Sequence, residues 1–188
     1  DDDVGTVLRV TVTYTDLRAT QESVTSDSTT TITNLNDSPI GELLIEGGAV
    51  EGRTLQAMNA FVDADGIGNV SYQWQRASQL DLIFSNIPGA TSSDYTLDDD
   101  DVGKVVRVLA AYSDQHNTDE HLASSATLEV GNVNDPPAGE ITLSGTSQED
   151  KTLTAFDTLV DADGMGTVNH QWQRANSENG PFTDIPGG

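Results

Sequence analysis

Apolar and polar residues alternate along this chain with a period of two, and no segment carries the 3.6-residue stripe of an amphipathic helix. Val70, Tyr72 and Trp74 interleave with Ser71, Gln73 and Gln75, and Val106, Val108, Ala110 and Tyr112 alternate along a longer run. Successive side chains of a strand point to opposite faces, so each run predicts a strand with one buried face. Leu55, Ala57 and Phe61 predict another. Gly41 to Ile45, Tyr95-Thr96-Leu97, and the positions Leu122, Ala126, Leu128 and Val130 predict three more. Clusters of Gly, Pro, Asn and Asp separate these runs at the spacing of a sandwich. The expectation is an all-β antiparallel β-sandwich with Trp74 and Trp172 in core positions.

The pattern returns at a fixed offset of 98 residues. Val62-Asp63-Ala64-Asp65-Gly66 recurs as Val160-Asp161-Ala162-Asp163-Gly164, and Gln73-Trp74-Gln75-Arg76-Ala77 as Gln171-Trp172-Gln173-Arg174-Ala175. Pairing residues 1–90 with those 98 later gives 41 identities without a gap. A period of about 100 is too long for a solenoid unit of about 20–50 and suits one small domain per tandem repeat. Asn34-Leu35-Asn36-Asp37-Ser38-Pro39 and Asn132-Val133-Asn134-Asp135-Pro136-Pro137 interrupt the alternation, and Pro holds its predecessor extended, so both segments are expected to be linkers. Residues 1–36 are then the C-terminal part of a preceding repeat plus linker, 37–135 a complete repeat, and 136–188 the N-terminal part of the next. The two partial copies are complementary portions of one sandwich, which raises head-to-tail self-association between chains as a further expectation.

Eight basic residues against 31 acidic give a formal charge of −23. That excludes nucleic acid and anionic lipid as partners, since both need a basic surface. No run approaches the roughly 20 apolar residues that span a bilayer, so no membrane contact is expected of this region. The absence of cysteine excludes disulfides and thiolate metal sites.

The acidic residues concentrate in turns and linkers. Asp63-Ala64-Asp65-Gly66 sets two carboxylates in a Gly-containing turn, and calcium takes six to eight oxygens at about 2.3–2.6 Å. In a sandwich this turn lies beside the incoming linker, and the Asp99-Asp100-Asp101 turn beside the outgoing one. Each junction then gathers metal-ligand candidates from three segments. At the first these are Asp1, Asp2, Asp3, Asn34, Asn36, Asp37, Asp63 and Asp65. At the second they are Asp99, Asp100, Asp101, Asn132, Asn134, Asp135, Asp161 and Asp163. Carboxylates brought this close repel one another without a cation. The competing reading is turn chemistry, because Asp and Asn side chains bond their own backbone.

Glu51 and Glu149 are secondary ligand candidates. Asp16 and Asp114, with Glu22 and Glu120, also recur, but on a loop expected to be solvated. His116, His121 and His170 face Arg18, Ser23 and Tyr72 in the other copies, so no histidine cluster repeats. Glycoside hydrolysis needs two carboxyls flanking a cleft about 5–9.5 Å apart, and nothing in the sequence supplies one. No catalytic constellation stands out, and the chain is not expected to be an enzyme.

Several landmarks resemble known families. Trp74 in the third strand and Leu97 followed by Asp101-Val102-Gly103 resemble an immunoglobulin-like sandwich, without its cysteine pair. The Asn-Asp-Pro linkers resemble those of cadherins. The whole set, Trp-Gln-Arg, Ile-Pro-Gly-Ala-Thr, Tyr-Thr-Leu, Asp-Val-Gly and Asn-Val-Asn-Asp-Pro-Pro, is similar to the extender repeats of giant bacterial surface adhesins of the repeats-in-toxin type. The resemblance implies a calcium-rigidified spacer on the bacterial cell surface. Such a spacer is secreted and extracellular, partnered by calcium and neighbouring repeats, and projects a distal binding region for adhesion or biofilm formation. The alternative is a carbohydrate- or protein-binding module, whose variable surface would be the divergent loop from Ala77 to Asn86.

Overall fold

The alternating runs fold as strands. The computed structural model describes residues 2–187, in two compact units divided between Asn132 and Val133. In the first unit the strands are β1 (Thr11–Thr15), β2 (Gln21–Thr25), β3 (Ile40–Glu46), β4 (Thr54–Val62), β5 (Ser71–Ser78), β6 (Ser85–Asn86), β7 (Asp94–Thr96), β8 (Lys104–Ser113) and β9 (Asp119–Ala123). The second holds β10 (Ile141–Gly145), β11 (Leu153–Asp157), β12 (Gln173–Arg174) and β13 (Thr183–Asp184). Every strand pair is antiparallel. Among the described residues there is no α-helix, hence none long and apolar enough to cross a membrane, and the one helical turn is a 3₁₀ turn at Asp99–Asp101.

Two sheets of the first unit, β3-β4-β7 and β6-β5-β8-β9, enclose one hydrophobic core. Leu43, Leu55, Ala57 and Phe61 face it from the first sheet, and Trp74, Val106, Val108, Ala110 and Tyr112 from the second. These are the residues that the period of two assigns to the inner face. Phe61 stacks on Tyr112 with ring centroids 5.8 Å apart, and Trp74 lies against Tyr95 at 5.6 Å. The Trp74 indole N–H donates to the Ser92 carbonyl at 2.9 Å, so the ring is buried without an unsatisfied donor. Gln73, polar in the alternation, is half-buried, and its amide nitrogen donates to the carbonyls of Trp74 and Ile87.

The last predicted run becomes a strand only as far as Ala123. Beyond it the chain stays beside β8, but hydroxyls take over part of the ladder. Ser124 Oγ accepts from Val108 N–H and Thr127 Oγ1 from Val106 N–H, both at 3.0 Å. The Ser124 and Thr127 amides still donate to the Val108 and Val106 carbonyls. The same arrangement occurs in the first copy, where Ser26 Oγ and Thr29 Oγ1 accept from Val10 and Leu8.

Strand registers recur at the sequence offset. β1 and β2 pair Thr11 with Thr25, as β8 and β9 pair Leu109 with Ala123. In the second unit β10 and β11 pair Ile141 with Asp157, as β3 and β4 pair Leu43 with Asn59. β12 and β13 pair Gln173 with Asp184, as β5 and β6 pair Gln75 with Asn86. The partial copies differ in exposure. Val10, Val12 and Val24 are each more than half exposed, as are Ile141, Leu143 and Phe156.

Candidate metal centre

The Asp63-Ala64-Asp65-Gly66 turn is an Asx turn. Asp65 N–H donates to Asp63 Oδ1 at 2.9 Å, and Gly66 closes the turn at φ +89°, a left-handed backbone that a side chain would strain. The linker hooks onto this turn, with Asp37 N–H donating to Asp65 Oδ2 at 2.6 Å. One residue earlier, the Asn36 side-chain amide donates to Glu120 Oε1 at 2.8 Å. The second unit repeats the hook: Asp135 N–H donates to Asp163 Oδ2 at 2.8 Å and Asp163 N–H to Asp161 Oδ1 at 3.0 Å.

The loop after β8 closes over the turn. Gln115 N–H donates to the Asp65 carbonyl at 3.2 Å, and the Tyr112 hydroxyl donates to Asp63 Oδ2 at 2.5 Å. Burial, reinforced by that bond to Asp63, raises the Tyr112 pKa and keeps the phenol protonated. Asp114 organises its own loop, its Oδ1 accepting from the amides of His116 and Thr118 at 2.8 Å each. Asp114 is therefore not a solvated loop residue; it is 6 % exposed. The loops can approach this closely because position 68 is glycine. A Cβ there would collide with the Ser113 carbonyl oxygen. Gly68→Ala is expected to cost about 1–3 kcal/mol, read as a lowered urea midpoint at an unchanged m-value.

The bonding leaves specific oxygens over. Among the described residues, three buried side-chain polar atoms have no hydrogen-bond partner: Asn34 Oδ1, Asp65 Oδ1 and Asp114 Oδ2. All three are oxygens, one on the linker, one on the turn bonded to it and one on the loop bonded to that turn. Asp65 itself is only 3 % exposed. His116 Nε2 stands 3.9 Å from Asp65 Oδ1, beyond hydrogen-bond reach. Among the described residues no Lys or Arg pairs with Asp63, Asp65 or Asp114. Buried unpaired acceptors cost free energy, and hard oxygen acceptors without donors are what a hard cation would satisfy.

The turn at Asp99–Asp101 has different chemistry. Asp101 is fully buried, and protein donors occupy both its oxygens. Arg76 Nη1 reaches Oδ1 at 3.1 Å, while the Tyr95 hydroxyl and the Asp98 amide reach Oδ2 at 2.6 and 3.1 Å. Asp100 Oδ2 takes the other Arg76 nitrogen at 2.9 Å. Burial alone would lower the Arg76 pKa, but the bonds it donates to Asp101 and Asp100 raise it above its ordinary value. Desolvation, with the neighbouring Asp101 charge, raises the Asp98 pKa. Asp101 and Asp100 thus anchor Arg76. Asp99 is instead exposed, with a carboxylate oxygen within 4.8 Å of one from half-buried Glu51.

The remaining candidates are spread out. Asp2 and Asp3 are exposed, and the Asp3 carbonyl accepts from Thr6. Asn132 and Asn134 are exposed, Asn134 donating to the Asp135 carbonyl, and Asp161 is half-buried. Asp1 lies outside the described residues. Sequence reasoning passed over the buried role of Asp114, although the signal was there: Tyr14-Thr15-Asp16 and Tyr112-Ser113-Asp114 keep Tyr and Asp at the same two places. The divergent loop carries Leu80 and Ile83, both largely exposed, where the other copy has Glu178 and Pro181.

No protein-family model matches the chain, and a search of curated proteins finds no match either.

Proposed function

We propose that this chain is a calcium-stiffened spacer built from tandem immunoglobulin-like sandwiches, in which calcium locks each linker to the sandwich that follows it. The reading rests on one observation: three buried oxygens without donors belong to the linker (Asn34), to the turn it is hooked to (Asp65) and to the loop that covers that turn (Asp114). Asp63, bonded to the Asp65 amide, and Glu120, bonded to Asn36 of the linker, offer further oxygen donors beside them. A cation there neutralises carboxylates that otherwise repel, and ties linker, turn and loop into one joint. The acidic composition and the recurrence of the hook at Asp135 and Asp163 support the same role for each copy. The setting that suits it is outside a bacterial cell, where calcium is millimolar and weak sites fill. No catalytic step is part of the role.

Thermal unfolding in chelator and in calcium, with magnesium as control, tests it. An ion held only by the native state at a hundred times its Kd adds about 2.7 kcal/mol. In a domain of about 100 residues that raises Tm by about 10–20 °C. Magnesium demands a tighter octahedron and is expected to shift it far less. A midpoint indifferent to calcium would return these aspartates to turn chemistry.

A further inference from the structure

Within the complete copy one sheet edge is left open. β3 is the outermost strand of the β3-β4-β7 sheet, and among the described residues its backbone bonds only to β4. Alternate residues of an antiparallel strand turn both backbone groups away from the partner, so β3 presents a row of unpaired amides and carbonyls. Just past the strand, Val50 bridges to Gly131 and draws the last run in. Beside β3 itself the two separate and a groove opens, in two parts of about 480 and 340 Å³. Leu43, Leu44 and Ser125 line both parts, joined by Leu122 in one and Ala126 in the other.

Leu43 and Ile45 of β3 face the core, so its outer face carries Glu42, Leu44 and Glu46. All three are exposed, and among the described residues neither carboxylate has an ion-pair partner. Leu44 stands between the two charges and opposite Met58 of β4, itself exposed. Charges can serve simply to keep an edge from pairing. The next copy, however, has Glu140, Thr142 and Ser144 at these positions, and so repeats neither Leu44 nor Glu46. Protection alone also calls for no groove.

A strand laid against β3 would set its side chains directly opposite these three, with Cβ atoms about 4.5–5.5 Å apart. Basic residues suit Glu42 and Glu46, and an apolar one suits Leu44. Its alternate side chains would enter the groove over Leu43.

We propose that the β3 edge is a docking site for an extended segment of another protein, one that alternates basic, apolar and basic side chains and joins the sheet as a further strand. The unpaired backbone supplies affinity, and Glu42, Leu44 and Glu46 supply the choice of sequence. A second copy of this chain is not the occupant. It has eight basic residues against 31 acidic, and no two of the eight stand four positions apart, as the pattern requires. The proposal is independent of the calcium reading.

The probe is a capped synthetic peptide that alternates threonine with lysine, leucine and lysine, a pattern that reads the same in either direction. Titrated into the isotope-labelled full chain, it is expected to shift the amide resonances of β3 and the groove walls saturably, with a Kd below about 1 mM. A peptide with glutamate in place of lysine is expected to bind at least tenfold more weakly. The double variant Glu42→Lys, Glu46→Lys is expected to invert that preference, a result that loss of folding cannot mimic. N-methylation of one alternate set of peptide amides is expected to abolish binding and of the other set to spare it, since only one edge of the added strand faces β3. Equal binding of the two peptides, shifts centred away from β3, indifference to N-methylation, or no saturable shift at millimolar peptide each overturns the proposal.

Discussion

Asp101→Ala is expected to destabilise the first unit by about 3–5 kcal/mol, the cost of stripping the partner from a buried charge. The carboxylate is wholly buried and meets three donors at once. Its removal leaves the Tyr95 hydroxyl and the Asp98 amide without an acceptor, and Arg76 with only exposed Asp100 and more distant Asp98. Against the 5–15 kcal/mol that holds a typical domain, that is a large share. Asp101→Asn is expected to recover part of it. Its one carbonyl oxygen can still serve Tyr95 and Asp98, but its amide then meets the Arg76 guanidinium donor to donor. Urea unfolding followed by Trp74 fluorescence in a Trp172→Phe background measures both. A loss below about 1 kcal/mol for the alanine variant would mean that Arg76 is served equally well by its other two aspartates.

The second large effect is conditional on solution composition. Asp65→Asn is expected to be at least as stable as the parent in chelator, because it removes one negative charge from a crowded acidic network. It keeps an oxygen for the Asp37 amide. In millimolar calcium the order reverses, with the variant trailing the parent by about 2–3 kcal/mol because it no longer collects the ion's binding free energy. The crossing of the two stability curves is the diagnostic, since a purely structural role for Asp65 lowers both conditions alike. Parallel curves would falsify the ligand assignment.

The strands were legible because their information is local. Val106, Val108, Ala110 and Tyr112 face the core because alternate residues of any strand share a face, whatever the partner strand. The end of β9 was not legible. Leu122 to Val130 reads as one alternating run, but Ser124 and Thr127 accept ladder bonds with their hydroxyls, a choice made against a strand some 20 residues away. The acidic residues show the same divide more sharply. Asp63, Asp65 and Asp101 are all aspartates in turns and look alike on paper. One is half-buried beneath a tyrosine hydroxyl, one keeps a buried oxygen with no donor, and one is saturated by an arginine, a tyrosine and an amide. Tyr112 lies 49 positions from Asp63 and Arg76 lies 25 from Asp101, and no spacing rule carries that information. Glu51, a candidate from the sequence, does come within 4.8 Å of Asp99.

The hydroxyl substitutions at Ser124 and Thr127 also bear on how repeats this similar avoid one another. They occur along the outermost flank of the four-stranded sheet, where a long regular strand would present evenly spaced amides and carbonyls to any passing chain. Here the flank is a regular strand for only the five residues of β9, and beyond it hydroxyls take over part of the ladder to β8. A crowd of near-identical chains is the condition under which sheets most readily zip together edge to edge. Two small hydroxyls, matched at Ser26 and Thr29, make this edge a poor template for that.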